Sequence, residues 1–207
     1  MKKIAVLVSG GGTNLQALID AQNNGILKSG KICCVISSSK KAYALTRAQN
    51  AGIPAEAVSR RDYTSSVQFD EALLGVLERY GADIIVLAGF LCILGESVIK
   101  SYPNRIINIH PSLIPSFCGD GFYGLRVHEE ALKKGVKVTG ATVHFVNEIT
   151  DGGAIIMQKA VNVQNGDTPE ILQRRVMEQA EWEILPKSCE LVCAGRVSVT
   201  DGVTVIE

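Results

Sequence analysis

The strongest constraint on the fold is an alternation between short apolar runs and amphipathic segments that continues to residue 134. The apolar runs are rich in β-branched residues, as expected of buried strands, and lie at 3–8, 31–37, 55–58, 82–89 and 106–109. Apolar residues at helical spacing lie between them, for example Leu15, Leu18 and Ile19. Strands that alternate with helices predict a parallel sheet with helices on both faces.

The later part of the chain predicts an antiparallel addition to this sheet. In the segment 138–146, polar Thr142 and His144 alternate with apolar neighbours, and a turn-rich loop leads to a second strand at 154–163. We expect these strands to form a long hairpin at one edge. The predicted fold class is therefore α/β: a Rossmann-like, doubly wound, mostly parallel sheet with an antiparallel hairpin at one edge.

The C-terminal region carries a clear helix start. Thr168 is placed to cap the helix and Pro169 to occupy its first position. We expect the helix to run to Leu185, to be interrupted by Pro186, and to be followed by a second helical stretch. A small terminal hairpin is predicted around Asp201-Gly202.

Composition excludes several classes of partner. The 207 residues include 21 basic and 21 acidic side chains, which gives no reason to expect nucleic acid or an anionic membrane as partner. No apolar stretch is long enough to span a bilayer. The six cysteines form no CxxC pair, and the three histidines show no metal-binding spacing, so no metal is expected. We expect a cytoplasmic protein, as a monomer or a homodimer, and composition alone says nothing about its activity.

The glycine-rich turn after the first strand predicts an anion-binding site. Gly10, Gly11 and Gly12 precede Thr13 and Asn14, where a helix begins. Free backbone amides and the helix dipole favour a negative charge at such a turn, and glycine allows close approach. A tight turn without a ligand is the simpler alternative.

The second strand leaves two kinds of phosphate ligand open. Its end, at 37–41, carries serines and lysines in place of the acidic residue that an NAD site requires. These side chains are compatible with the 2′-phosphate of NADP. The turn equally suits a single phosphate monoester.

The strand at 106–109 ends in Asn108 and His110, which are two residues apart and therefore point the same way. Asp151, before two glycines, is placed to reach the same end of the sheet and to favour the protonated form of His110. No nucleophile accompanies these groups. They indicate acid–base chemistry with stabilisation of an oxyanion, and so a direct acyl transfer.

Five segments carry a resemblance to a known family: Ser9-Gly-Gly-Gly-Thr-Asn-Leu-Gln16, Leu87-Ala-Gly-Phe90, Asn108-Ile-His-Pro-Ser-Leu-Ile-Pro115, His144-Phe-Val and Asp151-Gly-Gly. In this order, over nearly the whole chain, they resemble the phosphoribosylglycinamide formyltransferases, folate-dependent enzymes of de novo purine biosynthesis. The resemblance implies transfer of a formyl group from 10-formyltetrahydrofolate to the amine of 5-phosphoribosylglycinamide, without a metal. It also implies a single formyltransferase domain over 1–207, with a phosphate-binding half at about 1–100 and a folate-binding, catalytic half at about 101–207.

The same resemblance assigns roles to individual residues. The catalytic residues would be Asn108, His110 and Asp151. The phosphoribosylglycinamide site would contain Gly12, Thr13, Asn14 and Glu181. The folate site would contain Leu91, Cys92, Ile93, Leu94, Asn108, Asn147, Glu148, Ile149 and Thr150.

The chain departs from the family pattern at several positions. Family members often have arginine where Cys92 stands, some have arginine near Ser66, and the segment 117–124 is longer than in many relatives. An ungapped alignment places the ribose-contacting glutamate at Ala180, whereas one inserted residue places it at Glu181, which we prefer. Two other functions stay open from the sequence: an NADP-dependent reductase, and a folate- or nucleotide-binding protein without activity.

Overall fold

The computed structural model describes residues 1–207. Its strands and α-helices follow in the order β1 (Lys2–Val8), α1 (Thr13–Asn23), β2 (Gly30–Ser37), α2 (Tyr43–Asn50), β3 (Ala55–Ala57), α3 (Ser66–Tyr80), β4 (Ile84–Leu87), α4 (Glu96–Ser101), β5 (Ile106–His110), α5 (Leu125–Lys134), β6 (Val138–Phe145), β7 (Ile155–Asn162), α6 (Pro169–Val176), α7 (Trp182–Cys193), β8 (Val197–Thr200) and β9 (Val203–Ile206). A 3-10 helix covers Arg60–Asp62, and a π-helical turn, Met177–Glu181, joins α6 to α7.

Seven strands form one sheet in the order β3-β2-β1-β4-β5-β6-β7. The strands β1 to β5 pair in parallel, whereas β6 is antiparallel to both β5 and β7. The predicted parallel sheet with an antiparallel hairpin at its edge is confirmed. The terminal hairpin β8–β9 is also present, and its turn residues Asp201 and Gly202 have φ of 52° and 77°, as a type I′ turn requires.

Helices cover both faces of the sheet, and β1 is therefore buried on both sides. Ile4 and Val6 belong to a core of 31 buried residues that also contains apolar side chains of α1, α2, α6 and α7. Ala5 and Leu7 point to a second core of 15 buried residues, with side chains of α3 and α4. None of the helices is both long enough and apolar enough to cross a bilayer.

The prediction for the C-terminal helices is wrong in one respect. The helix was expected to break at Pro186, but that residue lies inside α7, and the departure from α geometry is the π-helical turn Met177–Glu181. Pro186 is the fifth residue of α7, so the helix continues without the hydrogen bond that an N–H at this position would donate to the Trp182 carbonyl.

Candidate active site

A cavity of about 420 Å³ opens at the carboxyl ends of the parallel strands. Its wall contains all but two of the site residues expected from the sequence. The two exceptions are Gly12, in the turn before α1, and Thr13, which lines a neighbouring depression between α1 and α7. No group of three or more His, Cys, Asp or Glu side chains is arranged to hold a metal ion.

Asn108 is held in the cavity wall by a histidine of the adjacent strand. The two residues are direct partners in the antiparallel pairing of β5 with β6, and Asn108 Nδ2 lies 3.1 Å from His144 Nε2. His144 Nδ1 lies 2.7 Å from the carbonyl oxygen of Phe145, which only accepts, so Nδ1 carries the proton. Nε2 therefore accepts from Asn108 and leaves the second N–H of the amide for the cavity.

His110 is 4% exposed at the end of β5. Its Nε2–H donates to the carbonyl oxygen of Phe117 at 2.9 Å, and its Nδ1 lies 3.5 Å from Asp151 Oδ2. Burial lowers the pKa of His110 below its ordinary value, and the charge of Asp151 opposes this effect without overcoming it. Asp151 thus favours the protonated form of His110, as expected, but removal of the ring from water acts in the opposite direction and is the larger effect.

Asp151 lies between the two histidines. Its Oδ2 accepts a hydrogen bond from the Gly119 N–H at 2.8 Å, and its Oδ1 is 3.5 Å from His144 Nε2. Burial acts to raise the pKa of Asp151, but His144, His110 and the Gly119 N–H together place it below the ordinary value. The Asp151 carboxylate is therefore ionised at neutral pH, and it can stabilise His110 whenever that histidine becomes protonated.

The glycine-rich turn after β1 is followed at Asn14 by a contact with the buried carboxyl group of Glu181. Gly12 has φ of 72°, and a Cβ at this position would lie 2.6 Å from Ala44 Cβ, so glycine is required there. Asn14 Nδ2 donates to Glu181 Oε2 at 2.6 Å. Burial raises the pKa of Glu181 to about 7, although the bond from Asn14 acts in the opposite direction. Glu181 lines the cavity, whereas Ala180 lies in the core.

The apolar part of the cavity lies between two loops. One is the segment Leu91–Leu94 after β4, and the other is the segment Asn147–Thr150 after β6. Leu91 and Ile93 are 63% and 79% exposed although both are large and apolar. Exposed apolar side chains around an open cavity are typical of a ligand-binding wall.

The sequence did not identify two contributors to the site. His144 had no assigned role, although the alternation of Thr142 and His144 along β6 already indicated a polar face. The second contributor is the backbone of the 111–119 loop. The carbonyl of Phe117 accepts a hydrogen bond from His110, and the N–H of Gly119 donates one to Asp151. No local sequence signal indicates such backbone contacts.

Comparison with known proteins places this site in a family. A model of the formyl transferase family matches residues 2–189. The chain is 40% identical over 207 residues to phosphoribosylglycinamide formyltransferase of Haemophilus influenzae, covering all of this chain and 94% of that protein. The crystal structure of glycinamide ribonucleotide transformylase 1 from Symbiobacterium toebii is 42% identical, with a TM-score of 0.93, and 100% of this chain and 94% of that one are covered.

Longer relatives contain a similar segment. The human trifunctional purine biosynthetic protein adenosine-3 is 44% identical over 197 residues, which cover 95% of this chain but 19% of that protein. This chain therefore spans about a fifth of the trifunctional relatives that it matches. With the ordered motifs and the cavity, these similarities show that the chain belongs to the formyl transferase family, among its phosphoribosylglycinamide formyltransferases.

Proposed function

We propose that this chain transfers the formyl group of 10-formyltetrahydrofolate to the amine of 5-phosphoribosylglycinamide, giving formylglycinamide ribonucleotide and tetrahydrofolate in de novo purine (IMP) biosynthesis. The family implies a folate-derived formyl donor and small-molecule substrates. The observation that carries the proposal is the convergence of Asn108, His110 and Asp151 in one cavity beside an anion-binding turn.

The two substrates suit different parts of the cavity. The backbone amides near Gly12, Thr13 and Asn14 would bind the phosphate, and Glu181 would accept a hydrogen bond from the ribose. The flat pterin would lie between Leu91–Leu94 and Asn147–Thr150. This arrangement brings the formyl group to Asn108 and His110, within a single domain whose first half mainly binds phosphate and whose second half carries catalysis.

The catalytic roles follow from the hydrogen bonds. As the amine nitrogen bonds to the formyl carbon, the carbonyl oxygen gains negative charge and accepts the free N–H of Asn108. One such donor is typically worth about 2.7–4 kcal/mol in the transition state. His110 is neutral in the free protein, so its Nδ1 can take the proton that the attacking amine loses.

Asp151 contributes when that proton arrives. The resulting imidazolium has Nε2–H on the Phe117 carbonyl and Nδ1–H beside the Asp151 carboxylate. The proton then passes to the folate nitrogen as its bond to the formyl carbon breaks. Asp151 thus stabilises a charge that forms during the reaction, which is what accelerates the chemical step.

The test is a two-substrate assay with product identification. The purified chain should form formylglycinamide ribonucleotide only when both substrates are present. His110→Ala should lower kcat by about 10²–10⁴ with little change in the binding of either substrate. Binding of both substrates without turnover in the wild type would contradict the proposal and would favour a binding protein without activity.

The comparisons do not support an NADP-dependent reductase, and Ser37 and Lys40, two of the side chains at 37–41, already have partners within the protein. The hydroxyl of Ser37 is buried and donates to the carbonyl of Ser39, and Lys40 pairs with Asp62 at 2.8 Å.

A further inference from the structure

Four consecutive backbone N–H groups at the start of α1 have no acceptor within the protein. They belong to Gly11, Gly12, Thr13 and Asn14. No side chain caps this helix end. The Cβ positions that would be built on Gly10 and Gly11 meet no atom within 4 Å, so the outer side of the turn is open. These donors are the ones to which we assign the phosphate of the ribonucleotide.

The opposite side of this turn is bound to α2. The carbonyl oxygen of Gly10 accepts from the Ala44 N–H at 3.1 Å, and that of Gly11 accepts from Arg47 Nε at 2.8 Å. In a planar trans peptide, the C=O and the following N–H point in opposite directions. The N–H groups of Gly11 and Gly12 are therefore turned away from α2, towards the open side.

Arg47 is itself fixed by its neighbours. Its Nη1 donates to Gln16 Oε1 at 3.1 Å, and its guanidinium lies over the ring of Tyr43, 5.1 Å from the centroid. Gln16 is fixed in turn because its Nε2 donates to Asp20 Oδ1 at 2.9 Å. No other lysine or arginine side chain forms a hydrogen bond with residues 9–14.

The cavity wall itself offers no positively charged side chain to a phosphate. Four acidic side chains line the wall, Asp120, Glu148, Asp151 and Glu181, and no lysine or arginine does. A phosphate monoester carries up to two negative charges near neutral pH. Among the groups of the turn and those bonded to it, the sources of positive potential are the free amides, the α1 dipole and the guanidinium of Arg47.

We propose that Arg47 is a positioning residue for the phosphate of the ribonucleotide substrate. It holds the Gly11 carbonyl so that the Gly12 N–H faces the phosphate, and it adds a positive charge behind the turn. This inference rests on the proposed function. It predicts an effect on the ribonucleotide that is absent for the folate donor, because Arg47 does not line the cavity.

The test is a comparison of Arg47→Met with the wild type on two amine substrates. For the ribonucleotide, KM should rise about tenfold or more, as expected for loss of a hydrogen bond to a charged group, while kcat changes far less. For the corresponding ribonucleoside, which lacks the phosphate, the variant and the wild type should have the same KM. Arg47→Lys should recover part of the loss, since an ammonium group can also donate to the Gly11 carbonyl.

A matched control is available on α3. Arg79 lies over the ring of Tyr80 at 5.9 Å and pairs with Glu56, and it forms no hydrogen bond with the turn. Arg79→Met should leave every KM unchanged. Equal increases in KM for the ribonucleotide and the ribonucleoside, an equal increase for the folate donor, or no increase at all would overturn the proposal. Calorimetry measures binding of the ribonucleotide to each variant without any need for turnover. The role of Arg47 can therefore be tested even if the wild type binds its substrates without reacting them, so failure of this inference is distinguishable from failure of the proposed function.

Discussion

Replacement of Asp151 by asparagine tests the electrostatic part of the mechanism. The change keeps the size of the side chain and removes a charge that lies 3.5 Å from His110 Nδ1. At that distance, Coulomb's law gives about 5 kcal/mol for an effective dielectric constant near 20, and about 1 kcal/mol in bulk water. The site is buried, so the true value lies between these limits. Loss of this attraction should lower the pKa of His110 by roughly one to three units.

The same energy sets the expected loss of rate. If Asp151 stabilises the imidazolium that forms during proton transfer, its removal should slow kcat by roughly 5- to 5000-fold. The KM values should change much less, because the charged His110 is absent from the ground state. The assays are kcat as a function of pH and NMR titration of the imidazole rings, of which the chain has only three.

Asp167→Asn is a matched control for Asp151→Asn. Asp167 is also an aspartate with a largely covered side chain, paired with Arg175, but it does not line the cavity. This control should lose stability and leave the titration of His110 unchanged. A titration midpoint of His110 that stays constant or rises in Asp151→Asn, or a kcat within about twofold of the wild type, would refute the electrostatic role.

Three further changes test the remaining groups. Asn108→Ala should lower kcat by about 10²–10³ in the steady-state assay, because it removes the donor to the developing oxyanion. Glu181→Gln should raise KM for the ribonucleotide, yet stabilise the protein above about pH 7 in denaturant unfolding. The reason is that folding raises the pKa of Glu181 from 4.5 to about 7. The wild type therefore loses up to about 3 kcal/mol of stability as pH rises from 4.5 to about 7. His128→Leu should stabilise the protein in acid. His128 is fully buried, and neither of its ring nitrogens has a hydrogen-bond partner. Burial lowers the pKa of His128 from 6.5 to about 4. His128 therefore costs the wild type about 2 kcal/mol as pH falls from 6.5 to about 5, and unfolding curves at the two pH values should show a loss smaller by about this amount in His128→Leu.

Local patterns in the sequence predict most of the architecture. A strand places alternate residues on one side, so Asn108-Ile109-His110 was sufficient to predict that the amide and the imidazole share a face. The capping pair Thr168-Pro169 marked the start of α6 correctly. These predictions succeed because the information lies within a few neighbouring residues.

Features that depend on distant contacts could not be predicted in the same way. The partnership of Asn108 with His144 depends on the register between β5 and β6, which are joined by 27 intervening residues, 111–137. The lowered pKa of His110 depends on burial by the whole fold, which outweighs the opposing effects of Asp151 and the Phe117 carbonyl. The π-helical turn has no periodic signature, although it is consistent with the single inserted residue that identifies Glu181 in place of Ala180.

The central claim is that the amine of the ribonucleotide receives the formyl group directly. The decisive measurement is a single-turnover reaction in which the formyl carbon of 10-formyltetrahydrofolate is labelled with ¹³C and the products are followed by NMR. The label should appear in formylglycinamide ribonucleotide at the rate at which tetrahydrofolate forms, and only when the amine substrate is present. Label released as formate, at a rate independent of the amine, would contradict the claim and would show that water is the acceptor.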